Sequence, residues 1–468
     1  MKDKLITKNQ RGFSTLEILI AFVVIILSIT AVIIVMFGNQ STGIASQTNS
    51  EATQKAQKML EEAQANSTLD FSLVNNIAPI AEDIYTKSLL VEVVDFFTKK
   101  VTAKVSWKND NTANQSVNLS TLITAPENVN GGTTCNSVLS GDWAHPQSLG
   151  SADVGQNNGG TDVDILNTKA YVTANASAAN KHDFYIVDVS NPNINNLPIL
   201  NSVDTGPGLQ AVHVAGNYAY VANGSINAQL QIIDLQTNPL QYVNFKINGV
   251  TGSGAQALGT SIFYKDKYVY LGLTTTASGP EFNIVDVSNP ATPVWKGGYT
   301  IGHNINAIYV KGIYAYIASP DSNELIVLNI SDPTNPTLVS QLDLSDNSSN
   351  GKSIAIVGNT LYLGRTEGAS PATKEFQLIN ILNPAAPVPG NSLDIGSTVN
   401  AIAIRDNLAF MLTADTNLGF QIWDLNTGSM YGSKNVQQTS TGGMDCEGNY
   451  IFIAQRSNKA LQIIGPGN

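Results

Sequence analysis

The strongest constraint in this 468-residue chain is a phrase that returns seven times. Each copy is a turn followed by a short strand with an aromatic at a fixed place: NTKAYVTA, GNYAYVAN, KDKYVYLG, KGIYAYIA, GNTLYLGR, DNLAFMLT and GNYIFIAQ. The aligned rings are Tyr171, Tyr220, Tyr270, Tyr316, Tyr362, Phe410 and Phe452, spaced 42 to 50 residues apart. A second phrase follows at a steady offset: YIVDVSNP, QIIDLQTNP, NIVDVSNP, IVLNISDP, QLINILNP and QIWDLNTG. Its polar anchors are Asp188, Asp234, Asp286, Asn329, Asn380 and Asp424. Each unit reads as four short strands, and four-stranded units of this length indicate a β-propeller with one unit per blade. A solenoid fits less well, because the repeat has neither a helix-compatible stretch nor a short-period ladder.

The seventh copy, LQIIGPGN, lacks a fourth strand. HPQSLGSADVG at 145–155 aligns with the outer strands of other units, such as LPILNSVDTG and TPVWKGGYTIG. The entering chain is therefore expected to complete the last blade, giving an all-β seven-bladed propeller over 143–468 closed by 145–155. Cys135 stands just before the closing strand, and Cys446 is expected between the first two strands of the last blade. A bridge between them would pin the closure; the alternative is two unpaired thiols, with Cys446 a small buried residue. An Asp or Asn repeated around a ring reads as a turn former or blade-to-blade bond rather than a ligand. The phrase VDVSNP…P resembles the LVIVP repeat of bacterial surface proteins, which implies a propeller and no settled activity.

The front of the chain is different. Residues 18–37, ILIAFVVIILSITAVIIVMF, are an unbroken apolar run. Twenty helical residues span a hydrocarbon core of about 30 Å. Basic residues precede the run and none follows until Lys55, so the positive-inside rule places the N-terminus in the cytoplasm and the body outside. Arg11-Gly12-Phe13-Ser14-Thr15-Leu16-Glu17 stands before the run and resembles the prepilin peptidase motif of type IV pilins and pseudopilins. The resemblance implies cleavage between Gly12 and Phe13, N-methylation of Phe13, and an assembly role for Glu17, paired with the terminal amine of a neighbouring subunit. A carboxylate at the edge of a span costs about 2–3 kcal/mol unless paired; the alternative is a lone interfacial glutamate. Further on, VTAKVSWKNDNTANQSVNLSTLIT alternates with period two and resembles the C-terminal sheet of minor pilins.

The expected fold class is thus an α+β pilin module, a long N-terminal helix plus a small antiparallel sheet, followed by the propeller. Its parts are a leader over 1–12, the helix over 13–66, the sheet over 67–126, a linker over 127–142, and the ring. The expected location is single-pass in the cytoplasmic membrane before assembly, then an extracellular pilus or the cell surface. Net charge is −11, and the first twelve residues carry four basic groups, Lys2, Lys4, Lys8 and Arg11, against one acid; an acidic body with no basic patch argues against nucleic acid. Propeller enzymes and hydrolases would show a sialidase box, G-x-S-x-G, H-E-x-x-H or C-x-x-C, and none is present. His182, His213 and His303 are isolated. The loop acids at Asp321 to Glu324 and at Asp415 could hold Ca²⁺ but lack the EF-hand pattern, so no cofactor and no metal site are expected. The reading is a minor, tip-located pilin-like subunit, not an enzyme, that displays a propeller for adhesion or recognition. Its expected partners are other pilin subunits, prepilin peptidase, the inner membrane before assembly, and an extracellular protein or glycan. A type II secretion pseudopilin and a surface-anchored propeller enzyme are the alternatives.

Overall fold

A computed structural model describes residues 26, 29–30, 47–67, 74–95, 98–108, 113–124, 135, 139–155, 158–175, 181–206, 208–320, 322–344, 349–368, 374–436, 442–455, 457 and 459–467. The described chain divides into two compact units. The first comprises residues up to Ala65, Asn75–Glu92 and Lys100–Ile123. Here a helix over 47–67 accompanies a sheet of Ile77–Glu82, Tyr85–Asp95, Thr98–Lys108 and Asn114–Thr124, in that order. The helix buries a narrow stripe of Ala52, Ala56, Met59 and Ala63. Tyr85 reaches it through its hydroxyl, which donates to Glu51 Oε2 at 3.0 Å, and its ring meets Trp107 edge-on at 6.0 Å. Lys55 and Lys87 both bind Glu82; these two bonds hold its carboxyl down to about 2.

Two expectations are corrected here. The α+β module built on a long N-terminal helix is not seen: the described helix is short, its apolar stripe is one small-residue face, and strands dominate the rest. The single-pass membrane location fails as well, because among the described residues no helix is long and apolar enough to cross a membrane. Of the run 18–37, Ile26, Ile29 and Thr30 are described, and the rest lies outside the described residues.

The second unit is a cycle of seven four-stranded antiparallel sheets. Blade 1 is Gly160–Leu166, Lys169–Ala174, Phe184–Asp188 and Ile199–Val203, each strand beside the next. Blades 2 to 6 repeat this meander, with first strands Leu209–Ala215, Gly259–Lys265, Ala307–Lys311, Gly351–Val357 and Val399–Arg405. Blade 7 has Met444–Glu447, Tyr450–Ala454 and Leu461–Gly467, completed by Asp142–Ala152. The first strands adjoin in cyclic order, and that of blade 7 adjoins that of blade 1.

The buried pattern explains the repeat. Second strands such as Lys169–Ala174 are buried on both faces past their first residue, so they read as continuous apolar runs. Fourth strands such as Ile199–Val203 are exposed or half-buried. The aromatic phrase is thus the middle of a sheet sandwiched between neighbours. Phe184, Ile186 and Tyr171 of blade 1 pack on Val212, Val214 and Val221 of blade 2. Similar layers join each later pair, and Val163, Ile165 and Val187 close the cycle on Phe452, Leu461 and Ile463 of blade 7.

Local chemistry fixes the ends of the strands. The hairpin between first and second strands has a left-handed residue at the same place in every blade: Asn167, Gly216, Asp266, Gly312, Gly358, Asp406 and Gly448, with φ between 51 and 59°. Gly, Asn and Asp are the residues that adopt this conformation at low cost in two-residue turns. That end of the ring is also stapled between blades. Lys265 donates to Gly312 O and Lys311 to Gly358 O, while Glu447 accepts from Thr168 N. The loops between second and third strands, and those joining blades, lie at the opposite end.

Close approach between blades requires glycine at the start of some first strands. A Cβ on Gly259 would stand 2.6 Å from Gln229 O and 2.8 Å from Asn223 N of blade 2. Neither backbone atom can yield cheaply. Gly259→Ala is expected to lower stability by about 1–3 kcal/mol, read as a fall in the denaturant midpoint at unchanged m-value; an unchanged midpoint would show that the blades can part at no cost.

Candidate functional site at the ring closure

The closing strand Asp142–Ala152 runs antiparallel to Leu461–Gly467, with Ala152 opposite Leu461 and Asp142 opposite Gly467. The outer strand of blade 7 therefore comes from the front of the domain, three residues earlier at each end than the alignment of 145–155 suggested. Cys135 and Cys446 form a disulfide with Cα atoms 5.2 Å apart, joining positions separated by 311 residues. Cys446 stands within the first strand of blade 7 rather than after it. Trp143 is buried edge-on against Phe410, centroids 5.0 Å apart. Asn449 clasps Ser140, donating to its carbonyl at 2.9 Å and accepting from its N–H at 3.1 Å. Gln147 donates to Pro466 O at 2.9 Å.

The first strands on either side of the junction carry three buried acids that the sequence reading passed over. Asp445 pairs across its hairpin with Phe452, and Asp164 with Tyr171, so they occupy one repeat position. The same position holds His213, Phe263, Tyr309, Ala355 and Ala403 in the other blades. Each acid reaches the next blade. Asp445 Oδ2 accepts from Ile165 N at 2.7 Å and Asp164 Oδ2 from Val214 N at 2.5 Å. Asp162, two residues earlier, accepts from Val212 N at 2.9 Å. These carboxyls tie first strands to backbone donors of the following blade, Asp445 across the closing seam and Asp162 and Asp164 from blade 1 to blade 2. Burial pushes Asp162 up to about 7 and Asp445 up to about 6. Asp164 is raised well above its ordinary value, by burial first and then by the charge of Asp445. The signal was in the sequence: TDVDI and GMDCE put acids into strands that are apolar or aromatic elsewhere.

A second device recurs just before the third strand. Asp183, Gln229, Glu281, Glu324 and Glu375 are buried. Each accepts a backbone N–H from the end of its own blade: Thr205 at 2.8 Å, Ile247 at 3.1 Å, and Ile301, Leu344 and Ile395 at 2.9 Å. Glu324 also takes Arg365 Nη2 of the next blade at 2.7 Å, both side chains being 2% exposed. The anchors of the second phrase make turns. Asp188, Asp234, Asp286, Asn329, Asn380 and Asp424 each accept the N–H two residues on, at 2.8–3.0 Å. These are turn bonds, in line with the structural reading of the repeat.

The remaining sequence candidates separate. Gly12, Phe13 and Glu17 lie outside the described residues, as does Asp321. Glu324 is engaged with Arg365, and Asp415 caps its own loop by accepting from Asn417 N at 2.7 Å. His182 bonds Ser202 Oγ at 2.6 Å, and His213 packs on Phe263 at 5.2 Å. The three histidines are spread over blades 1, 2 and the approach to blade 4.

Beside the closure, a groove of about 460 Å³ runs between the closing strand and the outer strand of blade 6, Ser429–Lys434. His145, Pro146, Met430, Tyr431 and Lys434 line it. Asp142 Oδ2 bonds His145 Nδ1 at 2.7 Å, and this bond lowers the acid from its ordinary value. An imidazole, a phenol and an ammonium next to Met430 and Pro146 form a set suited to non-covalent binding.

Seven meandering sheets in a closed cycle define this domain as a β-propeller. The LVIVD repeat's family model matches residues 170–204, 209–240, 261–301 and 304–344, in blades 1 to 4. No curated protein matches the chain.

The buried acids set a pH dependence. Their folded pKa values are raised, so the stability they contribute is full below the unfolded value near 4 and is lost as pH rises through about 6–7. Asp445→Asn keeps an acceptor for Ile165 N but cannot ionise. Between pH 5 and 8 the wild type is expected to lose roughly 1–3 kcal/mol relative to this variant. Parallel stability curves for the two proteins would show that the seam does not titrate.

Proposed function

We propose that the propeller is a non-enzymatic recognition head, displayed by a minor type IV pilin-like subunit for adhesion or ligand capture. The observation that supports the head most directly is the contrast between two sets of connections. The hairpin between first and second strands is the same in every blade, while the loops between second and third strands and those joining blades differ in length on a rigid scaffold, an arrangement through which binding surfaces diversify. One such loop, after Phe245, is tied to the loop before Glu281 by an isolated bridge between Thr251 and Ser278, which pre-organises a surface of Gly, Ser and Thr.

The pilin-like part of the proposal rests on the sequence. Gly12 and Phe13 stand where prepilin peptidase would cleave and methylate, and Glu17 is the fifth residue of the chain so produced. Other pilin subunits would then be its neighbours, and an extracellular protein or glycan its ligand. Glu17→Ala is expected to leave processing intact and to reduce incorporation into surface fibres several-fold, measured by immunogold labelling of sheared fibres. Wild-type protein that is processed but never found on fibres would defeat the proposal, and normal incorporation of the variant would remove the role of Glu17.

A further inference from the structure

We infer that the Cys135–Cys446 bridge is a force bypass, which carries tension arriving from the N-terminal side past the closing strand and into the innermost strand of blade 7. The inference rests on the reading of the ring as a head held through its N-terminal side while its partner pulls on the blades.

The geometry of the closure makes such a device necessary. The chain enters the ring at Asp142, whose pairing partner Gly467 is at the outer limit of the ladder. Tension on the entering chain, in the absence of the bridge, meets the Asn449 clasp on Ser140 first, then the Asp142 pair, Gln147 with Gly465, Ser148 with Ile464, and finally Ala152 with Leu461. The pairs would break one after another, as in a zipper, and serial rupture needs far less force than breaking a ladder all at once. Removing this strand also uncovers Trp143 and the side of blade 7 that completes the layer with blade 6. A propeller closed only by hydrogen bonds would therefore open where it is pulled.

The bridge interrupts that path seven residues before Asp142. Cys446 is fully buried. Its strand is held on one side by the hairpin with Tyr450–Ala454, where Cys446 faces Ile451. On the other side Asp445 accepts from Ile165 N of blade 1 and Glu447 from Thr168 N. A load entering at Cys135 thus passes through a covalent bond into a strand braced by two sheets. The closing strand, downstream of the bridge, is left slack and keeps its pairing.

The test is single-molecule pulling on the full chain, with one handle at the N-terminus and the other on a non-natural side chain replacing Lys267 in the blade 3 hairpin. In reduced protein the closing strand should peel first, giving an early step of about 60 Å for the stretch from Cys135 to Ala152 at ~3.5 Å per residue. In oxidised protein that step should be missing and the ring should open only at higher force. The Cys135→Ser/Cys446→Ser double variant should behave as the reduced form; if it does not fold, wild type reduced with dithiothreitol on the instrument supplies the comparison. A 60 Å first step in oxidised protein, or equal opening forces in the two redox forms, overturns the inference. Failure of the recognition reading would show instead as fibres without the protein and leaves the force comparison unaffected.

Discussion

The structure of the ring depends on burial between sheets that have two apolar faces. A blade such as Lys169–Ala174 with its neighbours cannot leave either face in water, so every blade needs a blade on each side. Seven layers result, each shared between successive blades, and the last must join the first. The domain has no single centre. Its stability is distributed around a cycle, and a cycle is as strong as its weakest junction. That is why covalent and polar fastenings gather at one seam. The disulfide, the Asn449 clasp, buried Trp143 and the Asp445 carboxyl all act between the two ends of the domain.

Much of this was legible in the sequence, and the reason is period. The aromatic phrase repeats because the second strand is always the sandwiched middle of a sheet, so Tyr171 and Phe452 could be aligned without a structure. The missing fourth strand of the seventh unit pointed to a strand at the front, and the turn role of Asp188 and its equivalents followed from their recurrence. What was hard to read broke the repeat or lay between repeats. Asp164 and Asp445 occupy a position where other blades have Ala, His or aromatics, and Asp162 one where they have Ala or Ser, so they show only as departures from the repeat and not through it. Glu281 and Glu375 stand just before a strong apolar strand, outside its pattern, although their carboxyls close the far end of the same blade. The edges of the closing strand were off by three residues because its buried and exposed positions follow no strict alternation.

The front of the chain teaches the opposite lesson. Composition and a short motif suggested a long helix, and apolar length suggested a span. Within the described residues the helix over 47–67 is held by small side chains on one stripe and by Tyr85, Lys55 and Glu82, contacts made to a sheet. Pattern over a few residues says what a segment resembles, whereas repetition over hundreds says what it must pack against.

The stapled hairpin end has an evolutionary corollary. Lys265, Lys311 and Glu447 tie the turns of three of the seven blade junctions, so a residue inserted there would disturb two blades together. At the other end several connections are capped within their own blade, as Glu375 holds Ile395. Sequence drift is thereby channelled to one rim. A lineage carrying this domain could exchange one ligand for another by lengthening a loop, while the ring beneath it stays unchanged.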